Sequence, residues 1–176
     1  NLLENHKFEE IQSLFWRNSD LNFNNLSTLI NSLDEKPKKI WLRKIHECED
    51  EKALKFFLRD INLKDIELNR EKLILLWECC QIPDFVKKTY GNHYDVIASV
   101  FKYLSSKKAK ISDNYMRLQL MKLDKLDGNV DSLSNRIANV RTWSYVSNKK
   151  NWIENQDYWI EKTKSLEDKL SDRLHD

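Results

Sequence analysis

Glycine and proline are scarce in this chain, two of each among 176 residues, where ordinary proteins carry roughly 7 % and 5 %. A phosphate-cradling loop or a dinucleotide-binding turn needs several glycines close together, and Gly91 and Gly128 stand alone, so the chain has no nucleotide site of either common kind. Sandwiches and barrels, with many short strands and tight turns, would demand more of both residues. No apolar run approaches the roughly eighteen residues of a membrane span, and Asn1 to Glu10 is too polar for a signal peptide. Cysteine is limited to Cys48, Cys79 and Cys80. Three thiols cannot all pair, and adjacent cysteines bridge only with strain, which points to reduced thiols in the cytosol or an organelle matrix. Neither G-x-S-x-G nor H-E-x-x-H occurs, and His6, His93 and His175 lie far apart in sequence.

What remains is a well-mixed charged chain, 30 basic against 28 acidic residues with a mean hydropathy of −0.71. The expectation is an all-α fold, a helical bundle of seven or eight helices with no substantial sheet. Its length suits one ordinary domain or two small ones. We expect a helical region over 1–110 and a C-terminal helical segment over 111–176, forming one compact unit. The chain opens on Asn1 rather than Met, and its last helical pattern is still running at Asp176, which reads as a piece of a longer protein.

Leu26, Leu29, Ile30 and Leu33 follow the spacing of a helix with one buried face, capped by Asn22 or Asn24 and ended by Pro37. Lys36 to Lys39 reads as a loop feeding an extended Ile40-Trp41-Leu42. Asp50 is expected to cap a helix carrying Leu54, Phe57, Leu58 and Ile61. Asn69 opens a helix with Leu73, Leu76, Trp77 and Cys80 that Pro83 terminates. Asn92 precedes one with Tyr94, Ile97, Phe101 and Leu104, and Ser112-Asp113 caps one with Tyr115, Met116, Leu120 and Leu123. After a turn at Asp127-Gly128, a longer helix runs from about Asp131 to Val146. The last starts near Gln156 and carries the stripe Trp159, Thr163, Leu166, Leu170 and Leu174.

Two clusters raise the question of a metal. Glu47, Glu49 and Glu51 crowd the start of one helix, where carboxylates already gain from the helix dipole without any ion. His46, Cys48, Cys79 and Cys80 supply the ligand count of a structural zinc, but consecutive residues on a helix point about 100° apart and no pair has the usual gap. We therefore expect no metal and no catalytic residue.

The segment Asp131 to Lys150 is the most informative. On a helical wheel Leu133, Ile137, Val140 and Ser144 form a narrow core stripe, flanked by Arg136 and Trp143 on one side and by Arg141 and Tyr145 on the other. Guanidinium groups clamp phosphates and aromatic rings stack on unpaired bases, so two such edges suit a single strand of nucleic acid. The competing reading places Trp143 in the core and pairs both arginines with helix carboxylates, and the small net charge of +2 favours it.

The same residues carry a resemblance. LDKLDGNVDSLSNRIANVRTWSYVSNKKNWIENQDYWIEKTKSLEDKLSDRLHD, from Leu123 to Asp176, strongly resembles the C-terminal region of bacterial relatives of the mitochondrial degradosome helicase known as suppressor of Var. WRNSDLNFNNLSTLINSL (Trp16 to Leu33) and LLWECCQIPDF (Leu75 to Phe85) match that region in the same order. The family comprises DExH-type, ATP-dependent helicases of superfamily two, with two RecA-like motor domains ahead of a helical C-terminal region. The motor's ATP and magnesium motifs have no counterpart in this chain, so neither cofactor is expected here. This chain departs from its relatives where they tend to carry arginine, as at Lys125, Lys149 and Lys162, which keeps the charge but loses the bidentate fork.

The resemblance implies a non-catalytic accessory region in the bacterial cytoplasm. Its expected partners are single-stranded RNA or DNA, the motor domains of the same parent chain and a ribonuclease, with no membrane. Arg136, Arg141, Trp143, Tyr145, Lys149 and Lys150 are the expected strand contacts. The alternative is a protein-interaction scaffold whose Trp159 to Leu174 stripe docks on the motor or the nuclease.

Overall fold

The computed structural model describes residues 14–59, 66–86 and 90–176. Among them are seven α-helices, which make up 61 % of the described residues, and one very small sheet, in agreement with the expected all-α class. No described helix is long and apolar enough to cross a membrane. The chain divides into two compact units, one ending at Gln81 and one beginning at Ile82. The boundary expected near residue 110 falls inside the second.

The first unit contains β1 (Leu14–Trp16), α1 (Leu26–Leu33), β2 (Leu42–Lys44), α2 (Glu49–Arg59) and α3 (Arg70–Cys80). The extended piece expected at Ile40–Leu42 is β2, two residues further on, and it pairs in parallel with β1 in the register Leu14 to Leu42. Helix α1 is capped by Asn25 rather than Asn22 or Asn24. A capping box decides this, because the Asn25 side chain accepts from the Thr28 amide while the Thr28 hydroxyl accepts from the Asn25 amide. Leu29, Ile30 and Leu33 are buried as expected.

Asp50 lies in the first turn of α2 rather than before it, and Leu58 is 45 % exposed, so Ala53 joins Leu54 and Phe57 on the buried face. Ile61, expected on this stripe, is outside the described residues, as is His6. Asn69 caps α3 as expected, its side chain accepting from the Lys72 amide, and all four residues of the expected stripe are buried.

The second unit contains α4 (Tyr90–Leu104), α5 (Asp113–Leu123), α6 (Val130–Asn148) and α7 (Gln156–His175). Helix α4 begins before Asn92, which therefore sits in its first turn instead of capping it. Ser112 and Asn129 cap α5 and α6 through the amides of Tyr115 and Ser132. Gly128 makes the preceding turn at φ 105°, a conformation that L side chains rarely adopt, and a Cβ there would lie 3.0 Å from that of Ser132. Trp159, Thr163, Leu166 and Leu170 are buried, so the α7 stripe is used inside the unit, largely against α6. Thr163 tolerates burial because its hydroxyl donates to the Trp159 carbonyl at 2.8 Å.

Candidate nucleic-acid interface

Helix α6 buries two faces rather than one narrow stripe. Leu133, Ile137 and Val140 are buried as expected, but Trp143 and Ser147 continue the line in place of Ser144, and Thr142 and Val146 are buried beside it. The hydroxyl of Ser147 donates to the Trp143 carbonyl at 2.8 Å, and that of Thr142 reaches both Ala138 and Pro83 carbonyls at 3.4 Å. These internal bonds satisfy polar groups that a hydrophobicity wheel assigns to the surface.

Trp143 is therefore a core residue, 4 % exposed. Its ring meets Tyr115 edge-on at 5.8 Å, and Tyr115 meets Tyr103 at 4.9 Å. No face of Trp143 is open to a base. Burial also lifts the Tyr115 hydroxyl above its ordinary pKa. Arg136 is turned inward to the loop between α5 and α6. Its Nη1 donates to the Lys125 carbonyl at 2.8 Å and to the Asp127 carbonyl, while Nη2 lies 3.9 Å from the Asp127 carboxylate. It fastens a turn, and the edge expected from Arg136 and Trp143 does not exist.

The other edge persists in altered form. Arg141 is exposed and its Nε donates to Glu167 Oε1 of α7 at 2.8 Å, a contact that water screens strongly. Tyr145 and Lys149, one turn apart, do come together, with Lys149 Nζ 5.9 Å from the Tyr145 ring centroid. Sequence reasoning missed the third member, Trp152, whose ring centroid lies 5.2 Å from the same ammonium. Lys149 ends α6 and Trp152 lies beyond it, so no helical spacing in the sequence points to this third member.

Backbone geometry places this group. Lys149 is the C-cap of α6 with an extended ψ of 122°, so its side chain departs from the helix end. Gln156 Nε2 donates to the Ser147 and Lys149 carbonyls at 3.0 and 3.2 Å, holding the turn. Ile111 pairs with Ile153, its amide donating to the Trp152 carbonyl at 2.8 Å. Lys150 is exposed beside Lys149, and neither forms an ion pair among the described residues. By contrast, a hollow of about 580 Å³ at the start of α7 sets Asp113 and Asp157 against Arg117, a balance that does not favour a polyanion.

The candidate metal ligands are arranged around a cation already present. Ligand atoms of Cys48, Asp50 and Glu51 lie within 4.8 Å of one another, but Arg17 Nη1 donates to both Asp50 oxygens at 2.8 and 3.1 Å and to Glu51 Oε1 at 3.4 Å. Burial raises the Cys48 pKa against the pull of Arg17, favouring the neutral thiol over a ligating thiolate. Cys79 and Cys80 are core residues of α3. No family model, curated protein or solved structure matches this chain.

Proposed function

We propose that this chain is an all-α accessory region of an ATP-dependent helicase, binding a single strand of RNA or DNA weakly by itself and positioning it for motor domains elsewhere in the parent protein. The observation that carries this reading is the end of α6, where Lys149 and Lys150 have no carboxylate partner among the described residues and Lys149 lies against two aromatic rings. Ammonium groups neutralise phosphates and ring faces take unpaired bases, which is the combination single-strand binders use. The resemblance of Leu123 to Asp176 to the helicase C-terminal region supplies the motor, which would bring ATP and magnesium with it. A net charge of +2 fits weak binding, because a free-standing binder needs a more basic surface.

A labelled oligonucleotide titrated at two salt concentrations tests this. Binding should weaken steeply with salt, and the double variant Lys149→Ala, Lys150→Ala should lower the logarithmic salt slope by about 0.7 for each phosphate that it no longer neutralises. Absence of binding at low salt sinks the reading. The second reading, a docking scaffold, is favoured by the exposure of Leu118, Met121 and Val130, at 48, 62 and 64 %. It would use such exposed apolar residues, since Trp159, Leu166 and Leu170 are buried within the unit.

A further inference from the structure

We propose that Lys149 is the displaceable cover of a base-stacking slot formed by Tyr145 and Trp152, and that the slot takes one unpaired nucleobase. This rests on the strand-binding reading above and adds which part of the strand enters and what must move. The Lys149 ammonium sits 5.9 Å from one ring centroid and 5.2 Å from the other. At 5 % exposure Trp152 is as closed as Trp143, but its ring carries the Lys149 ammonium, so a base reaches it only if that lysine moves away. The frame around it is fixed: Gln156 ties the α6 end, and Ile111 holds the Trp152 carbonyl. The movable part is the lysine stem.

Three arguments favour an exchange of cover for ligand. A stacked base covers a whole indole face, where one ammonium touches it at a single point. The displaced ammonium gains in turn from the phosphate next to that base, so both halves of the exchange run in the same direction. Lysine suits the role better than arginine would, because a planar guanidinium would stack on the indole and stay there, whereas a compact ammonium on a flexible stem leaves readily. A duplex cannot use the slot, since its bases are already stacked within the helix. The ligand class is therefore an unpaired base with its neighbouring phosphate.

The test uses the 176-residue chain, a strand of about 12 nucleotides carrying 5-iodouracil, and an abasic strand of equal length and charge. The base-bearing strand should quench tryptophan emission and, on irradiation, cross-link to Trp152 or Tyr145. The abasic strand should bind with a similar salt dependence and quench little. Trp152→Phe should remove most of the quench, and Lys149→Ala should weaken binding several-fold while keeping the cross-link. Cross-links mapping only elsewhere, or equal quenching by the abasic strand, overturn the slot while strand binding stands. Failure of both strands to bind overturns the slot and the strand-binding reading together. Cross-linking needs no substitution, so it decides the matter even if Trp152→Phe does not fold.

Discussion

Residues up to Gln81 and residues from Ile82 onward are both mostly helical, yet different chemistry holds each unit together. In the first, the described helices span only 8, 11 and 11 residues, and polar side chains join them. Buried Asn18 donates to the Ser32 carbonyl and to Glu35, fastening the chain after β1 to the end of α1. Arg17 reaches the first turn of α2 and lies 5.5 Å from the Trp77 ring of α3. In the second unit, α6 and α7 span 19 and 20 residues and bury long, mostly apolar lines, and the ion pair that joins them, Arg141 with Glu167, is exposed. Short helices bury too little to fix their own arrangement, so charged and amide groups specify it; long stripes need no such help.

The largest effect should come from the long stripe. Leu170 is 0 % exposed, and Leu170→Ala should cost about 2–5 kcal/mol in chemical denaturation. A cost below about 1 kcal/mol would mean that the second unit does not depend on its apolar line.

Next in size is Arg17→Met. It takes from the Glu51 carboxylate, fully buried with Oε2 already lacking a hydrogen-bond partner, the cation that hydrogen-bonds it, leaving only the more distant charge of Lys44. Breaking such a pair costs about 3–5 kcal/mol when fully buried; Arg17 is 30 % exposed, so about 2 kcal/mol is expected after solvent screening. The pH dependence has a definite sign. Burial raises the Glu51 pKa above 4.5, with Lys44 and Arg17 opposing, and loss of Arg17 raises it further. The cost is then that of burying the charged form, present in full above the raised folded value. It should shrink as the pH falls from that value toward 4.5, because the folded variant takes up a proton before the unfolded chain does. A penalty that is constant with pH would show that Glu51 is not the stranded group.

Arg141→Ala should be smaller still for the fold, below about 1 kcal/mol, because its pair with Glu167 is solvent-exposed. It should weaken oligonucleotide binding more than it lowers stability, and Arg141→Lys should restore part of the affinity. Unfolding by Arg141→Ala would mark it as a structural arginine like Arg136. No change at all is expected from a chelator: if Arg17 is what balances Asp50 and Glu51, the melting temperature stays where it is, whereas a bound structural metal would contribute folding free energy that its removal must expose.

The sequence was legible where local signals agree. The α7 stripe and the Asn69 and Ser112 caps were all in place, since periodicity and capping depend on neighbours a few residues away. The Asn25 cap was not separated from Asn22 and Asn24 because the choice lies in Thr28, a reciprocal partner three residues on. The parallel pairing of β1 with β2 was out of reach, being non-local and only three residues long. At the candidate site, Tyr145 and Lys149 are both expected strand contacts, but the spacing pairs Tyr145 with Arg141, and its meeting with Lys149 depends on how the chain leaves the end of α6. Of the two placements open for Trp143, the core one holds; the wheel sets it at the flank of the stripe because Ser147 and Thr142 are buried with their hydroxyls bonded back to the helix, and polarity alone hides them.

The pairing of Ile111 with Ile153 has a kinetic consequence. The two residues have all of α5 and α6 between them, so their hydrogen bonds form only once that stretch has doubled back, after its loop-closure entropy has been met. Local helix formation is far faster than such long-range closure. During refolding, the amides of Ile111 and Glu154, which donate across this clasp, should gain protection from hydrogen exchange after those in the middle of α6. They serve as a clock for completion of the unit. The indole of Trp152, held by the same clasp, reaches its final position only when that clock has run.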